Sequence, residues 1–180
     1  MKSIKCRTVG DLKEVCFGGS ILPDNDEVVY FVVTQPGQNT TIIRPLMLGE
    51  EYPKTYGHYH KNKTQEKYYI AYGEGLVLLQ KERSPGVVEE VRVTPTKAGQ
   101  VVTIPGEYAH CQINLRQSPL VTVDDADPHK ETNNYESIKE RGGFCYFFLS
   151  DGRGGWRSIP NSKYQVIPPL EVTHWNARFY

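Results

Sequence analysis

The sequence has no excess of charge of either sign, since 21 lysines and arginines balance 21 aspartates and glutamates over 180 residues. A dedicated nucleic-acid-binding protein usually has a basic excess or a basic stripe, so the balance argues against that class. No apolar run reaches the length of a membrane span, and the N-terminus lacks the apolar core of a signal peptide. These absences predict a cytoplasmic protein without nucleic-acid or membrane partners.

Paired cysteines are missing as well. The chain has four cysteines, at Cys6, Cys16, Cys111 and Cys145, and no C-x-x-C pair. Free thiols are therefore the prediction for a cytosolic chain of this size. Cys111 directly follows His110, so on a strand the two side chains face opposite ways, and we interpret Cys111 as a packing residue.

Helical periodicity is scarce, and the chain consists mainly of short β-branched and aromatic runs separated by turn residues. This pattern predicts one all-β domain, a sandwich or barrel. The predicted strands are 28–34, 40–46, 67–72, 76–81, 87–94, 100–104, 111–115, 120–123 and 144–149. Gly73-Glu74-Gly75 is predicted to form a hairpin turn, and residues 134–141 a short helix ended by Gly142-Gly143.

Three of the five histidines and one carboxylate have spacings that allow them to converge on one metal ion. His58 and His60 are two residues apart, so on a strand both imidazoles point to the same face. Glu66 follows after a polar turn, and His110 comes 44 residues later. Three imidazoles and a carboxylate suit a divalent transition metal ion such as Fe, Ni, Mn, Zn or Cu. Four protein ligands leave positions open for a substrate on an octahedral ion.

The spacing around these ligands resembles the two-part motif of the cupin superfamily. The first part is G-H-x-H-x5-E-x6-G from Gly57 to Gly73, and the second is G-x5-P-x4-H-x3-N from Gly99 to Asn114. Glu107 stands where the superfamily usually has glycine. The resemblance implies a double-stranded β-helix (jelly-roll) barrel over residues 28–150. Irregular extensions, 1–27 and 151–180, are predicted to flank it.

Further stretches resemble the cupin-type glucose-6-phosphate isomerases of archaea and some bacteria. They include TYGHYH from Thr55, PGEYAH from Pro105, and the segment from Ala126 to Phe144. The resemblance implies an aldose–ketose isomerase of glycolysis and gluconeogenesis that binds one divalent ion, Fe, Ni, Mn or Zn. It also implies a homodimer.

Carried over by position, the resemblance assigns functional residues. The metal ligands are His58, His60, Glu66 and His110. The substrate-binding residues are Thr41, Thr55, Gly57, Tyr68 and Tyr135. The catalytic residues are Glu66, Tyr68 and His129. One departure is that a tyrosine which helps to hold the phosphate in relatives falls near Val123 or Asp124 here, and a carboxylate would repel a phosphate.

The roles of these residues follow from the chemistry of moving hydrogen between C1 and C2 of a sugar. Glu66 is the candidate base for an enediol route, whereas in a direct hydride shift it acts mainly as a ligand, and the sequence does not choose between them. His129 is a candidate for opening the sugar ring, because histidine titrates near neutral pH. Tyr68 should face the same interior as Glu66, and Tyr69 should face outward. Lys54, Lys61 and Lys63 could steer an anion toward the entrance.

Three other functions are compatible with the same residues. An isomerase of an unphosphorylated sugar such as lyxose or mannose is favoured if Asp124 lies in the pocket. A cupin dioxygenase would use the same three histidines and glutamate to hold iron. A sugar-binding cupin without catalytic activity would bind the ligand without turnover.

Overall fold

The computed structural model describes residues 3–125 and 133–173, and most of its regular structure is β-strand. The strands are β1 (Ser3–Thr8), β2 (Val28–Gln35), β3 (Gln38–Ile43), β4 (Tyr59–His60), β5 (Glu66–Tyr72), β6 (Glu74–Ser84), β7 (Val87–Lys97), β8 (Val101–Ile104), β9 (Ala109–Asn114), β10 (Leu120–Asp124), β11 (Asn133–Asn134), β12 (Tyr146–Ser150), β13 (Trp156–Pro160) and β14 (Glu171–Val172). Two short α-helices, α1 (Val9–Leu12) and α2 (Glu136–Glu140), interrupt them, with 3₁₀ turns at Lys13–Val15 and Gly19–Ile21.

Two larger sheets form the body of the molecule. One has six strands in the order β1-β2-β3-β10-β5-β8, and the other has four in the order β14-β7-β6-β9. Two small antiparallel pairs, β11-β4 and β12-β13, complete the set. Neighbours in the sheets are mostly distant in sequence, as in a jelly roll. The predicted all-β double-stranded β-helix is confirmed.

The turn predicted at residues 73–75 does not make a hairpin. β5 lies between β10 and β8 in the six-stranded sheet, whereas β6 lies between β7 and β9 in the other sheet. Gly73 has φ +86°, and a side chain at this position would overlap the carbonyl oxygen of Pro119. Glycine is therefore needed where the chain crosses from one sheet to the other.

The structure differs from the predicted irregular N-terminal extension, because residues 3–8 form β1 at the edge of the six-stranded sheet. β1 pairs antiparallel with β2, with Lys5 opposite Val32 and Arg7 opposite Tyr30. Apolar and polar residues alternate over Ile4, Lys5, Cys6 and Arg7, but in the reverse sense to a half-buried strand, because Lys5 and Arg7 face the polar cavity while Ile4 is 70% exposed.

Polar side chains join the two sheets on the inside. β9 directs His110, Gln112 and Asn114 toward the six-stranded sheet, while Cys111 and Ile113 belong to the apolar core. The Thr122 hydroxyl donates to Oε1 of Gln112 at 2.6 Å, and Nδ2 of Asn114 donates to the carbonyl oxygen of Ile43 at 3.2 Å. The interior is thus apolar in part and hydrogen-bonded in part, which leaves room for a polar site.

The predicted helix is shorter than expected and begins two residues later. Residues Asn133–Asn134 pair with β4, so α2 starts at Glu136. It ends before Gly142, which has φ +63° and serves as the predicted cap. Within the described residues, every helix is too short and too polar to cross a membrane.

Candidate metal centre and its cavity

Four side chains of ligand type meet where β4, β5 and β9 come together. The backbones of His58 and His110 bond reciprocally, with N–H···O distances of 3.3 and 3.1 Å, which fixes the segment before β4 against β9. His60 follows on β4, and Glu66 is the first residue of β5. One ring nitrogen from each of the three histidines lies within 4.8 Å of the others.

The separations among His60, Glu66 and His110 are close to those of atoms bound to a common ion. Nε2 of His60 lies 3.3 Å from Nε2 of His110, and Oε2 of Glu66 lies 3.2 Å from the first and 3.6 Å from the second. Ligand atoms about 2.1 Å from one ion are separated by about 3.0–3.4 Å, for octahedral or tetrahedral angles. The donor set fits a divalent transition metal ion.

Hydrogen bonds on the far side of the rings also suit metal binding. Nδ1 of His60 lies 2.9 Å from the carbonyl oxygen of Thr64, which can only accept. In the neutral ring Nδ1 therefore carries the proton, and the lone pair of Nε2 points toward the other ligands. Such outer-shell bonds orient metal-binding histidines.

The buried setting favours the neutral imidazoles that a metal ion requires. Burial, with a smaller effect from the neighbouring His60, lowers the pKa of His58 to about 3. Burial also lowers the pKa of His110 well below its usual value, and repulsion from His58 and His60 adds to this. Neutral rings are competent ligands without first losing a proton.

A cavity of about 470 Å³ opens above the four side chains and is lined mainly by polar groups. All five predicted substrate-binding residues line it, namely Thr41, Thr55, Gly57, Tyr68 and Tyr135. Their roles stay predictions, although the structure brings the residues together. His129 lies outside the described residues.

Tyr68 forms a hydrogen bond with a predicted metal ligand. Its side chain is buried, and its hydroxyl oxygen lies 2.6 Å from Nδ1 of His110. Burial, together with the carboxylates of Glu66 and Asp124, raises the pKa of Tyr68 well above its usual value, so the phenol keeps its proton. Tyr69 is 42% exposed, as its position on the opposite face of the strand predicts.

Thr55 and Gly57 line the same cavity, and both lie close to the backbone of β9. The Thr55 hydroxyl oxygen accepts from the backbone N–H of Gln112 at 3.1 Å, which leaves its own hydrogen able to donate to a ligand. Gly57 has φ +78°, and a Cβ there would overlap the Phe144 ring and lie 2.9 Å from the carbonyl oxygen of His110. Only glycine lets the backbone pass this close to the ligand strand.

Asp124, which marks the departure from the family pattern, lines the cavity. It is buried, and its Oδ1 accepts from the backbone N–H of Asn39 at 3.1 Å and from Nδ2 of Asn39 at 2.9 Å. The carboxylate is thus held on the wall by β3. It adds negative charge to the cavity that a phosphate has to tolerate.

The prediction that Lys54 stands at the entrance is wrong. Thr55 faces the cavity, so the preceding side chain faces away from it, and Lys54 is buried beneath the barrel wall. Its Nζ donates to Oε1 of Glu51 at 2.6 Å and to the carbonyl oxygen of Val15 at 2.8 Å. Burial, the largest single effect, lowers the pKa of Lys54, but the Glu51 carboxylate together with smaller effects from Cys16 and Cys111 more than offsets it, so the pKa is raised. Lys61 and Lys63 are exposed.

Several cavity residues escaped the sequence analysis. Gln112 and Asn39 lie two residues from His110 and Thr41 on the same strands, so the alternation of side chains could have identified them. Lys5 and Arg7 have the same two-residue spacing on β1. Their signal was a pair of cations that alternate with Ile4 and Cys6, with the cations rather than the apolar residues on the inner face.

Comparisons with known proteins show which family this chain belongs to. The sequence profile of the family described as Glucose-6-phosphate isomerase (GPI) matches residues 24–165. A relative from Rhizobium meliloti (strain 1021) is 34% identical over 151 residues, which cover 79% of this chain and 68% of that one. The glucose-6-phosphate isomerase of Sinorhizobium medicae (strain WSM419) is 31% identical over 150 residues, covering 78% and 67%.

A relative from another genus has a similar level of sequence identity. The glucose-6-phosphate isomerase of Thermococcus gammatolerans (strain DSM 15229 / JCM 11827 / EJ3) is 33% identical over 128 residues, which cover 71% of this chain and 64% of that one. Among solved structures, oxalate decarboxylase from Bacillus subtilis aligns at 19% identity with a TM-score of 0.46, over 63% of this chain and 30% of its own. Because the profile spans most of the sequence and relatives above 30% identity match two thirds of their own length, the chain belongs to the glucose-6-phosphate isomerase family.

Proposed function

We propose that this protein interconverts glucose 6-phosphate and fructose 6-phosphate, with a divalent metal ion held by His58, His60, Glu66 and His110. The observation that carries the proposal is the position of these four side chains. They converge at spacings suited to one ion, within a cavity lined by hydroxyl, phenol and amide groups. Membership of the isomerase family supports the same reaction.

When bound, a divalent ion supplies Lewis-acid chemistry that polarises the sugar carbonyl and stabilises negative charge on its oxygen. The residues around it move protons and orient the sugar. Glu66 is buried beside His60 and His110, so its carboxylate is close enough to act as a base toward a sugar held in the cavity. The enediol and hydride-shift routes differ in whether Glu66 takes the C2 proton.

Tyr68 acts as a hydrogen-bond donor to the sugar. With Nε2 of His110 facing the metal site, the neutral ring would carry its proton on Nδ1 and donate it to the Tyr68 oxygen. The phenol hydrogen is consequently available to a substrate oxygen. Thr41, Thr55 and Gly57 contact the phosphate, Tyr135 lines the sugar site, and His129 opens the sugar ring.

A second candidate is the isomerisation of an unphosphorylated sugar such as lyxose or mannose. The observation that favours it is the position of Asp124 on the cavity wall. A carboxylate accepts hydrogen bonds well from sugar hydroxyls but repels a phosphate dianion. The two candidates share the metal site and differ in whether the cavity holds a phosphate group or only sugar hydroxyls.

The proposal is tested by following fructose 6-phosphate conversion with protein that is stripped of metal and reloaded with Fe(II), Mn(II), Ni(II) or Zn(II). Glucose-6-phosphate dehydrogenase reports the product as NADPH. Metal-dependent turnover is expected, and unphosphorylated aldoses are assayed in parallel for the second candidate. Absence of turnover on fructose 6-phosphate with every metal, in folded protein that binds metal, would contradict the proposal.

His110→Ala is expected to lose bound metal and activity together, with turnover falling by more than about 100-fold. Outer-shell partners of a metal alone are worth 10–100-fold, and His110 belongs to the inner set. Metal content is measured by elemental analysis beside the turnover rate. Full activity in a metal-free variant would contradict the site assignment. The homodimer and the cytoplasmic location stay predictions.

A further inference from the structure

The edge strand β1 places two cations on the inner face of the six-stranded sheet. Lys5 lies opposite Val32 on β2, which lies opposite Thr41 on β3, and Thr41 in turn lies opposite Thr122 on β10. Residues directly opposite on neighbouring strands project to the same face of a sheet. Lys5 therefore faces the same way as Thr41, a predicted phosphate contact.

Arg7 lies two residues further along β1, so it shares this face, and it lines the cavity beside Tyr30. Its guanidinium carbon lies 5.6 Å from the centre of the Tyr56 ring. The Tyr56 ring packs edge-on against Tyr135 at 5.5 Å, and Tyr135 lies 5.4 Å from the His58 ring. A continuous row of rings thus connects the cation of β1 with the metal ligands.

The carboxylates and the cations that line the cavity have different neighbours. Glu66 is directed at the imidazoles of His60 and His110, and Asp124 at Asn39. The described residues that line the cavity include one lysine, Lys5, and one arginine, Arg7. Nη1 of Arg7 lies 3.7 Å from Oδ1 of Asp11, and both side chains are about two-fifths exposed. A guanidinium has five N–H donors, so Arg7 can bind a further anion.

We infer that β1 is a phosphate-recognition strand, in which Lys5 and Arg7 bind the phosphomonoester group of the substrate. The inference rests on the proposed function, because it assigns the end of the same cavity where the sugar phosphate is held. Arginine binds phosphate through two parallel hydrogen bonds, and lysine adds a point charge. The two cations offset the repulsion from Asp124, which removes the main objection to a phosphorylated substrate.

The test compares Arg7→Gln, Lys5→Gln and the double variant with wild-type protein, all loaded with metal. A charge-assisted hydrogen bond is worth about 10-fold or more in binding, so KM for fructose 6-phosphate should rise about 10-fold in Arg7→Gln and about 100-fold in the double variant. We expect kcat to change by less than about twofold, because the phosphate does not react. The inhibition constant of inorganic phosphate should rise in parallel.

Lys13→Gln is the matched control. Lys13 belongs to the same N-terminal segment but pairs with Asp24 at 2.8 Å and does not line the cavity. This variant should leave KM unchanged, which separates a local contact from a change in net charge. Arg7→Lys should recover part of the lost affinity, since it restores the charge without the planar fork.

Unchanged KM and unchanged phosphate inhibition in the double variant, with melting temperature and metal content preserved, would overturn the inference. Failure of the proposed function gives a different result, namely no turnover of fructose 6-phosphate by wild-type protein. In that case calorimetric titration of inorganic phosphate into metal-loaded wild-type and double-variant protein decides the question. Weaker binding to the double variant supports a phosphate site on β1, and equal binding overturns it.

Discussion

At the scale of single residues, the site is defined as much by what holds the ligands as by the ligands themselves. The Thr64 carbonyl leaves His60 with its lone pair on Nε2, and Tyr68 lies against the outer nitrogen of His110. Spacing in the sequence predicted that the three histidines would converge, and the two-residue separation from Glu66 predicted that Tyr68 faces the interior. The Thr64 contact was not predictable, because it depends on the exact path of the turn between β4 and β5.

Tyr68→Phe is expected to weaken metal binding by about 10–100-fold, because the hydroxyl that faces Nδ1 of His110 is lost. Competition with a chelator measures the affinity, and turnover measured at saturating metal reports the separate loss of the hydrogen bond to the sugar. Tyr69→Phe removes the same atom from the neighbouring, outward-facing residue and should change neither quantity. Equal metal affinity in the Tyr68 variant and wild type would show that His110 needs no such partner.

At the scale of secondary-structure elements, close packing of the segment before β4 against β9 sets the shape of the site. Gly57 allows it, because its φ of +78° and its missing side chain let the chain pass the Phe144 ring and the His110 carbonyl. Strands with apolar and β-branched residues were predictable because burial selects those residues. β1 and the crossing at Gly73 were not, since one faces a polar cavity and the other depends on which sheet each strand joins.

Gly57→Ala should lower the free energy of unfolding by about 3 kcal/mol, from a strained backbone and an overlap with Phe144. Gly99→Ala is the control, because Gly99 has φ +88° and nothing lies within 4 Å of the added carbon. It should cost only the backbone strain, about 1–2 kcal/mol. Urea unfolding measures both values. Equal losses in the two variants would mean that the close approach at Gly57 adds nothing to the cost.

At the scale of the whole molecule, ionisable groups are buried throughout the barrel and not only at the metal centre. Burial raises the pKa of Cys16 and of Cys111 from 9.0 to about 12, and that of Tyr30 from 10.0 to about 12. The prediction that Cys111 faces away from the metal ligands fits this burial in the core. Enclosure of Cys111 was predictable from its alternation with His110, whereas that of Cys16 and Cys145 was not, since both lie outside the helices and strands and their burial depends on tertiary packing.

Stability is expected to fall as the pH rises from about 9 toward 12. These groups have a higher pKa in the folded state than when unfolded, so the folded state holds their protons more tightly. Their contribution is complete below the unfolded values and is lost as the pH approaches about 12. Urea unfolding at pH 7.5, 9 and 10.5 measures the trend. Replacing both Cys16 and Cys111 with alanine should flatten it, and a stability that is constant to pH 10.5 would contradict the argument.

The location of β1 has a consequence for how substrate preference can change over evolution or by engineering. Among the described strands, β1 pairs with β2 alone, and it shares no strand neighbour with β4, β5 or β9, which carry the proposed ligands His60, Glu66 and His110. If β1 binds the phosphate as inferred, exchange of its six residues would alter which sugars are accepted while the reacting end of the cavity stays intact. The choice of substrate and the chemistry performed on it would then be separable modules within one barrel.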